Sequence, residues 1–135
     1  MHITLAIGAA TLAWFVIAAI LFFNPIVDKL YRSQEGDPAV RALPQGPQTI
    51  ARILTAVLIQ CAAWAYIYTL VAPALPGGPL AKGLLFALII TLVKVLPRDI
   101  DRLLLTTYPT LRMSIEFVIG IVCAAVVGLV FAYTL

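Results

Sequence analysis

From Ile3 to Phe23 the chain runs 21 residues without one charged side chain. A helix rises 1.5 Å per residue and needs about 20 apolar residues to cross the hydrocarbon core of a bilayer. The medium that accepts such a run is lipid. Ile53–Leu75 meets the same requirement, interrupted only by Gln60 and a few hydroxyls. Ser114–Leu135 meets it with a single carboxylate, Glu116, near its start. A fourth stretch, Leu80–Leu96, carries Lys82 at one end and Lys94 near the other. It could form a buried hairpin segment, but a full span is favoured because it leaves the strongly basic loops on one side of the membrane. Composition agrees: the 135 residues are 63% hydrophobic and 11% charged, against about half and about a quarter in soluble domains. The expectation is an all-α integral membrane protein, an antiparallel four-helix bundle forming a single domain over residues 1–135. The predicted spans are 3–23, 53–75, 80–96 and 114–135.

The nine basic residues set a direction. Lys29, Arg32, Arg41 and Arg52 lie in or beside the first loop, 24–52. Lys94, Arg98, Arg102 and Arg112 lie in or beside the third, 97–113. Only Lys82 adjoins the short Pro76-Gly77-Gly78-Pro79 turn between spans two and three. Cytoplasmic loops collect Lys and Arg, so loops 24–52 and 97–113 are expected inside the cell and both termini outside it. Only Met1 and His2 precede the first apolar run, which lacks the basic start and small-residue cleavage site of a signal peptide, so it reads as a retained span. The net charge of +3 forms no dense patch or arm, which argues against nucleic acid as a partner.

Within the first loop, Asn24–Gln34 places Ile26, Val27, Leu30 and Tyr31 on one side of a short amphipathic helix suited to the headgroup region. Gly36–Gln48, with Pro38, Pro44 and Pro47, is expected to be irregular. Pro97 to Leu105 reads as a helical turn along the inner surface that ends near Pro109.

Polar groups inside hydrocarbon are costly, about 2.5–3.5 kcal/mol for a charge, so they mark partners or water. Glu116 is the most informative. Arg112 lies one turn earlier on the same helix, and Lys94 approaches from the end of the neighbouring span. A cluster of Lys94, Arg112 and Glu116 is expected, with Gln60 deeper by about 12 Å from Arg52. A stabilising ion pair with Lys94 snorkelling to water is the simpler reading; a proton or substrate site is the sharper one. Gln60 either bonds a neighbouring helix or lines a small polar cavity. Trp14 sits mid-span, where packing explains it more simply than a ligand pocket. In the last span Gly120, Ala124, Gly128 and Ala132 recur every four residues. Such a seam lets helices approach closely, within the chain or between copies.

Cys61 and Cys123 both lie in apolar runs and read as small hydrophobes, with a disulfide conditional on contact between their helices. His2 is the sole histidine. Haem ligation, a CxxC redox motif and a nucleophile with a histidine base are therefore all without support. Asp99 and Asp101 adjoin Arg98 and Arg102 and are too few for a metal site. No catalytic, cofactor-binding or metal residues are assigned. The expected function is a non-enzymatic structural or accessory membrane protein, in contact with membrane lipid and assembling as a homo-oligomer or within a larger membrane complex. An oligomeric channel or carrier for a small solute is the alternative.

The aromatic first span leads into a proline-containing segment, Trp14-Phe15 to Phe23-Asn24-Pro25-Ile26-Val27-Asp28-Lys29-Leu30. The last span carries Ile119-Gly120 and Val127-Gly128-Leu129-Val130. This layout resembles small bacterial four-span membrane proteins of the DUF1761 type, a family of unknown function. The long Pro-rich first loop departs from that pattern. The resemblance implies the fold and a place in the bacterial inner membrane, and no activity.

Overall fold

Each apolar run is answered by a helix in the computed structural model, which describes residues 2–135. Four helices are long and apolar enough to cross a membrane: Ile3–Phe22, Pro47–Val71, Pro79–Leu105 and Thr110–Thr134. The full order is α1 (Ile3–Phe22), α2 (Pro25–Arg32), α3 (Pro47–Val71), α4 (Pro79–Ile90), a π turn (Thr91–Val95), α5 (Leu96–Leu105) and α6 (Thr110–Thr134).

Local chemistry sets the boundaries. Asn24 accepts a hydrogen bond from the Ile26 amide at 3.0 Å, and Pro25 follows at the first helical position, so α2 starts abruptly after α1. An exposed Arg32–Asp28 pair at 2.8 Å spans one turn of α2. Pro47 and Pro79 open α3 and α4 in the same way. Gly77 has φ +87°, and a Cβ there would also lie 2.8 Å from the Ala81 Cβ, so the Pro-Gly turn depends on it. Lys82 donates to the Ala72 carbonyl at 3.0 Å and thereby satisfies the C-terminal end of α3.

The third span differs from the reading that ended it at Leu96 with a separate surface turn beyond. α4, the π turn and α5 form one unbroken 27-residue helix. Pro97 lies in the first turn of α5. A proline inside an α-helix removes one amide donor and presses its ring on the carbonyl four residues back. The wider π turn immediately before it makes room for the ring, so the helix continues where a break was expected.

α6 holds the bundle together, packing against both α4 and α1. A Cβ on Gly83 would sit 3.0 Å from the Gly128 carbonyl oxygen, and one on Gly128 would collide with the Gly83 carbonyl. The α4 and α6 backbones are therefore in direct contact. Gly120 meets Val95 in the same seam, and Ala124 is buried. Ala132, at its end, is half-buried. The small-residue face of α6 is thus filled by α4 of the same chain. Near the Pro-Gly end, Tyr68, Phe86 and Phe131 close the core, with ring centres 5.0 to 6.3 Å apart. Buried Ala6 and Ala10 belong to the same core. The flanks of all four spans expose large apolar residues, among them Leu12, Ile59, Leu92 and Val118. That exposure suits lipid and not water.

Candidate functional site: two polar centres within the bundle

The polar residues singled out in the sequence fall into two groups. The first surrounds Glu116, near the start of α6. Its carboxylate accepts from the Tyr31 hydroxyl at 2.8 Å, the Tyr108 hydroxyl at 2.5 Å and the Arg102 guanidinium at 2.5 Å. Arg112, one turn back, places Nε 4.0 Å away and lies over the Tyr31 ring, 3.5 Å from its centre. Arg102 lies over the Tyr108 ring in the same manner at 4.7 Å. Asp99 holds Arg98 at 2.8 and 3.0 Å through both its oxygens. Glu116 thus joins α2, α5, the α5–α6 connection and α6 in one knot. Burial, then the hydrogen bond to Glu116 and the charge of that carboxylate, push the Tyr108 hydroxyl above its ordinary range; burial does the same to Tyr31, against the opposing effect of Arg112.

Lys94 does not join this knot. No carboxylate among the described residues lies within 4 Å of it. It projects from the π turn, donates to the Gln60 side-chain oxygen, and sits 5.1 Å from the centre of the Trp14 ring and 5.8 Å from that of Trp64. The cluster expected of Lys94, Arg112 and Glu116 is therefore split. Arg112 stays with Glu116, while Lys94 and Gln60 form a second centre with two indoles. The reason is depth: Lys94 stands level with Gly120, one turn of α6 farther from the basic end than Glu116, while Tyr31, Tyr108 and Arg102 meet the carboxylate from that end.

Depth explains what this second centre is exposed to. Trp14, Gln60, Lys94 and Gly120 each lie eight positions from Phe22, Arg52, Arg102 and Arg112 respectively, about 12 Å along their helices from the basic end of the bundle. One helix after another thus supplies a group at a common level. A cleft of about 60 Å³ lies there, lined by Trp14, Cys61, Trp64, Lys94, Arg98 and Cys123 among others. A second hollow of about 370 Å³ opens on the flank between α3 and the π turn, lined by Gln60, Ala63, Trp64, Ile67 and Lys94. Lys94 and Trp64 form the wall common to both. Among the described residues no group of three His, Cys, Asp or Glu could hold a metal ion.

Some of this was visible in sequence. Lys94, Arg98 and Arg102 recur every four residues and so share a face. Tyr31 stood on the apolar side of the amphipathic segment. Tyr108 carried no signal, since its role depends on how the connection folds back.

No protein-family model, no curated protein and no solved structure matches this chain. The functional reading therefore rests on the site itself.

Proposed function

We propose that the chain is a non-enzymatic, multi-pass membrane protein that binds an anionic solute inside the bilayer at Lys94, as a carrier does. The observation behind this reading is the ammonium of Lys94, set about 12 Å in from the basic end with no carboxylate partner among the described residues. Inserting a charge there costs about 2.5–3.5 kcal/mol. Two indole contacts return about 0.5–2 kcal/mol each and the hydrogen bond to the Gln60 oxygen adds to them; together they hold the lysine in place but leave its charge without a counter-charge. An anion supplies what is missing. The π turn that presents Lys94 is a distortion that recurs at functional sites. By the excess of basic residues at one end, that end faces the cytoplasm and both termini face away from it.

The 60 Å³ cleft is too small for an aqueous pore through one copy. A channel would need several copies, which makes the carrier form the simpler one. To test the reading, purified protein in neutral detergent is melted in the presence of anions ranging from acetate and phosphate to long-chain carboxylates. At least one should raise the midpoint, and Lys94→Met should abolish the rise. Midpoints that no anion moves in a Lys94-dependent way would end this proposal.

An accessory protein within a larger membrane assembly, or a homo-oligomer, is the second reading. The observation favouring it is α3, which keeps only Val57, Cys61, Ala65 and Tyr68 buried over its 25 residues and leaves a long face unpartnered. Because α4 already fills the small-residue seam of α6, this reading places the contact on the α3 face. Cross-linking from α3 in native membranes should then trap a second polypeptide; recovery of monomer alone counts against it.

A further inference from the structure

The shape around Lys94 narrows the kind of anion. At about 60 Å³ the inner cleft accommodates a head of two or three heavy atoms and little more. Anything larger must extend into the 370 Å³ hollow on the flank, which lies within the size range of small-ligand pockets. The lining of that hollow changes character along its length. Lys94 and Gln60 stand at one end, and Ala63, Trp64 and Ile67 continue up α3 as an apolar wall. Ala63 is exposed, so the hollow opens to the lipid side of the bundle and not to either aqueous face. At the Pro-Gly end Tyr68 and Phe86 meet with ring centres 5.0 Å apart, so the gap between α3 and α4 is closed there.

A ligand matching these walls has a small anionic head and one apolar tail. We infer that the Lys94 centre takes a long-chain carboxylate, entering sideways from the bilayer, with its head against Lys94 and its chain running past Gln60 along Ala63 and Ile67. This inference rests on the anion-binding reading of Lys94 given above and adds the class of ligand and its route. The hollow is open toward lipid and lined by only a few side chains of α3 and the π turn, so it seats the first part of one chain and leaves the remainder among the acyl chains. That is one chain, where a phospholipid would bring two and keep its larger head at the interface. Charge complementarity selects the head. Among the described residues Lys94 has no carboxylate partner at this depth, whereas neighbouring Arg98 is already held by Asp99.

The two tryptophans of the chain, Trp14 and Trp64, both border Lys94, so intrinsic fluorescence reports on this site alone. The experiment titrates the full chain in neutral detergent with dodecanoate bearing a quenching bromine on its tail. Bromododecanol serves as the uncharged control and bromobutyrate as the chainless one. Dodecanoate should quench saturably, and Lys94→Met should weaken its binding at least tenfold while Lys94→Arg retains it. Ala63→Phe, which fills the hollow and leaves the charge in place, should weaken dodecanoate but not butyrate. Butyrate binding as tightly as dodecanoate, with both dependent on Lys94, would overturn the amphiphile while leaving the anion site standing. The alcohol binding as tightly as the acid, indifferent to Lys94→Met, would overturn both. Absence of quenching by dodecanoate overturns the amphiphile alone, provided another anion still protects against melting.

Discussion

Replacing Glu116 by Gln keeps the volume of the side chain and removes its charge, so it isolates what the carboxylate does for the fold. Three donors converge on it, from Tyr31, Tyr108 and Arg102. Hydrogen bonds to a charged group contribute about 1.5–3 kcal/mol each when fully buried. The Glu116 side chain is 14% exposed and that of Arg102 is 32% exposed, so solvent screens part of the arginine contact. Allowing for this, Glu116→Gln should destabilise the folded protein by about 2–4 kcal/mol. A double-mutant cycle sharpens the test. Tyr108→Phe combined with Glu116→Gln should show a coupling of about 1–2 kcal/mol, because the two side chains share a hydrogen bond. Lys94→Met combined with Glu116→Gln should couple by less than about 0.5 kcal/mol, because those residues belong to separate centres. The assay is reversible unfolding in mixed detergent micelles, followed by helical circular dichroism. A Lys94–Glu116 coupling as large as that of Tyr108–Glu116 would refute the division into two polar centres.

Three further outcomes follow from the same geometry. Gly128→Ala should destabilise by about 2 kcal/mol, because its methyl would meet the Gly83 carbonyl. Gly8→Ala, with open space around it, should be neutral or stabilising by up to about 1 kcal/mol; equal effects in a melting comparison would contradict the close α4–α6 contact. Tyr108 titrates above its ordinary value of 10.0 in the folded protein. The stability tied to its proton should therefore be complete below pH 10 and decline as pH rises through the raised value, since the unfolded chain then loses the proton first. Midpoints measured against pH should show this alkaline decline, and Tyr108→Phe should lessen it, leaving the share due to Tyr31. Pro97→Ala should let the π turn relax toward a regular helix; amide hydrogen exchange over residues 91–97 should slow, and faster exchange would contradict the role given to the ring.

The four spans could be read from sequence because charge is absent over long stretches, a signal that needs no knowledge of packing. Their ends were harder to see. α3 begins at Pro47, ahead of the apolar run, because Gly46 and Pro47 set the first turn, and it stops at Val71 with Ala72 and Pro73 following. The uninterrupted passage through Pro97 was hidden, since a proline stops or passes depending on the width of the turn before it. The seam on α6 was visible as a four-residue repeat, but spacing could not tell that Gly83 of the same chain fills it. For the polar site, periodicity finds neighbours on one helix, as with Arg112 and Glu116. It is silent on Tyr31 and Tyr108, which reach the carboxylate from other segments. Lys94 was identified as unusual, and its company of Gln60 and two indoles emerged only with the helices assembled.

The π turn also has a bearing on how this chain can vary. An α-helix turns by about 100° with each residue, so a residue taken up by the wide turn resets the facing of everything that follows. Arg102 reaches Glu116 in that reset phase. Losing one residue between Thr91 and Val95 would close the wide turn to α-helical width and leave Arg102 facing Glu116, whereas gaining one would swing it toward the acyl chains. The wide turn is thus the place where this span can shed a residue and keep the contacts beyond it, so drift in length should be better borne there than elsewhere in the same helix.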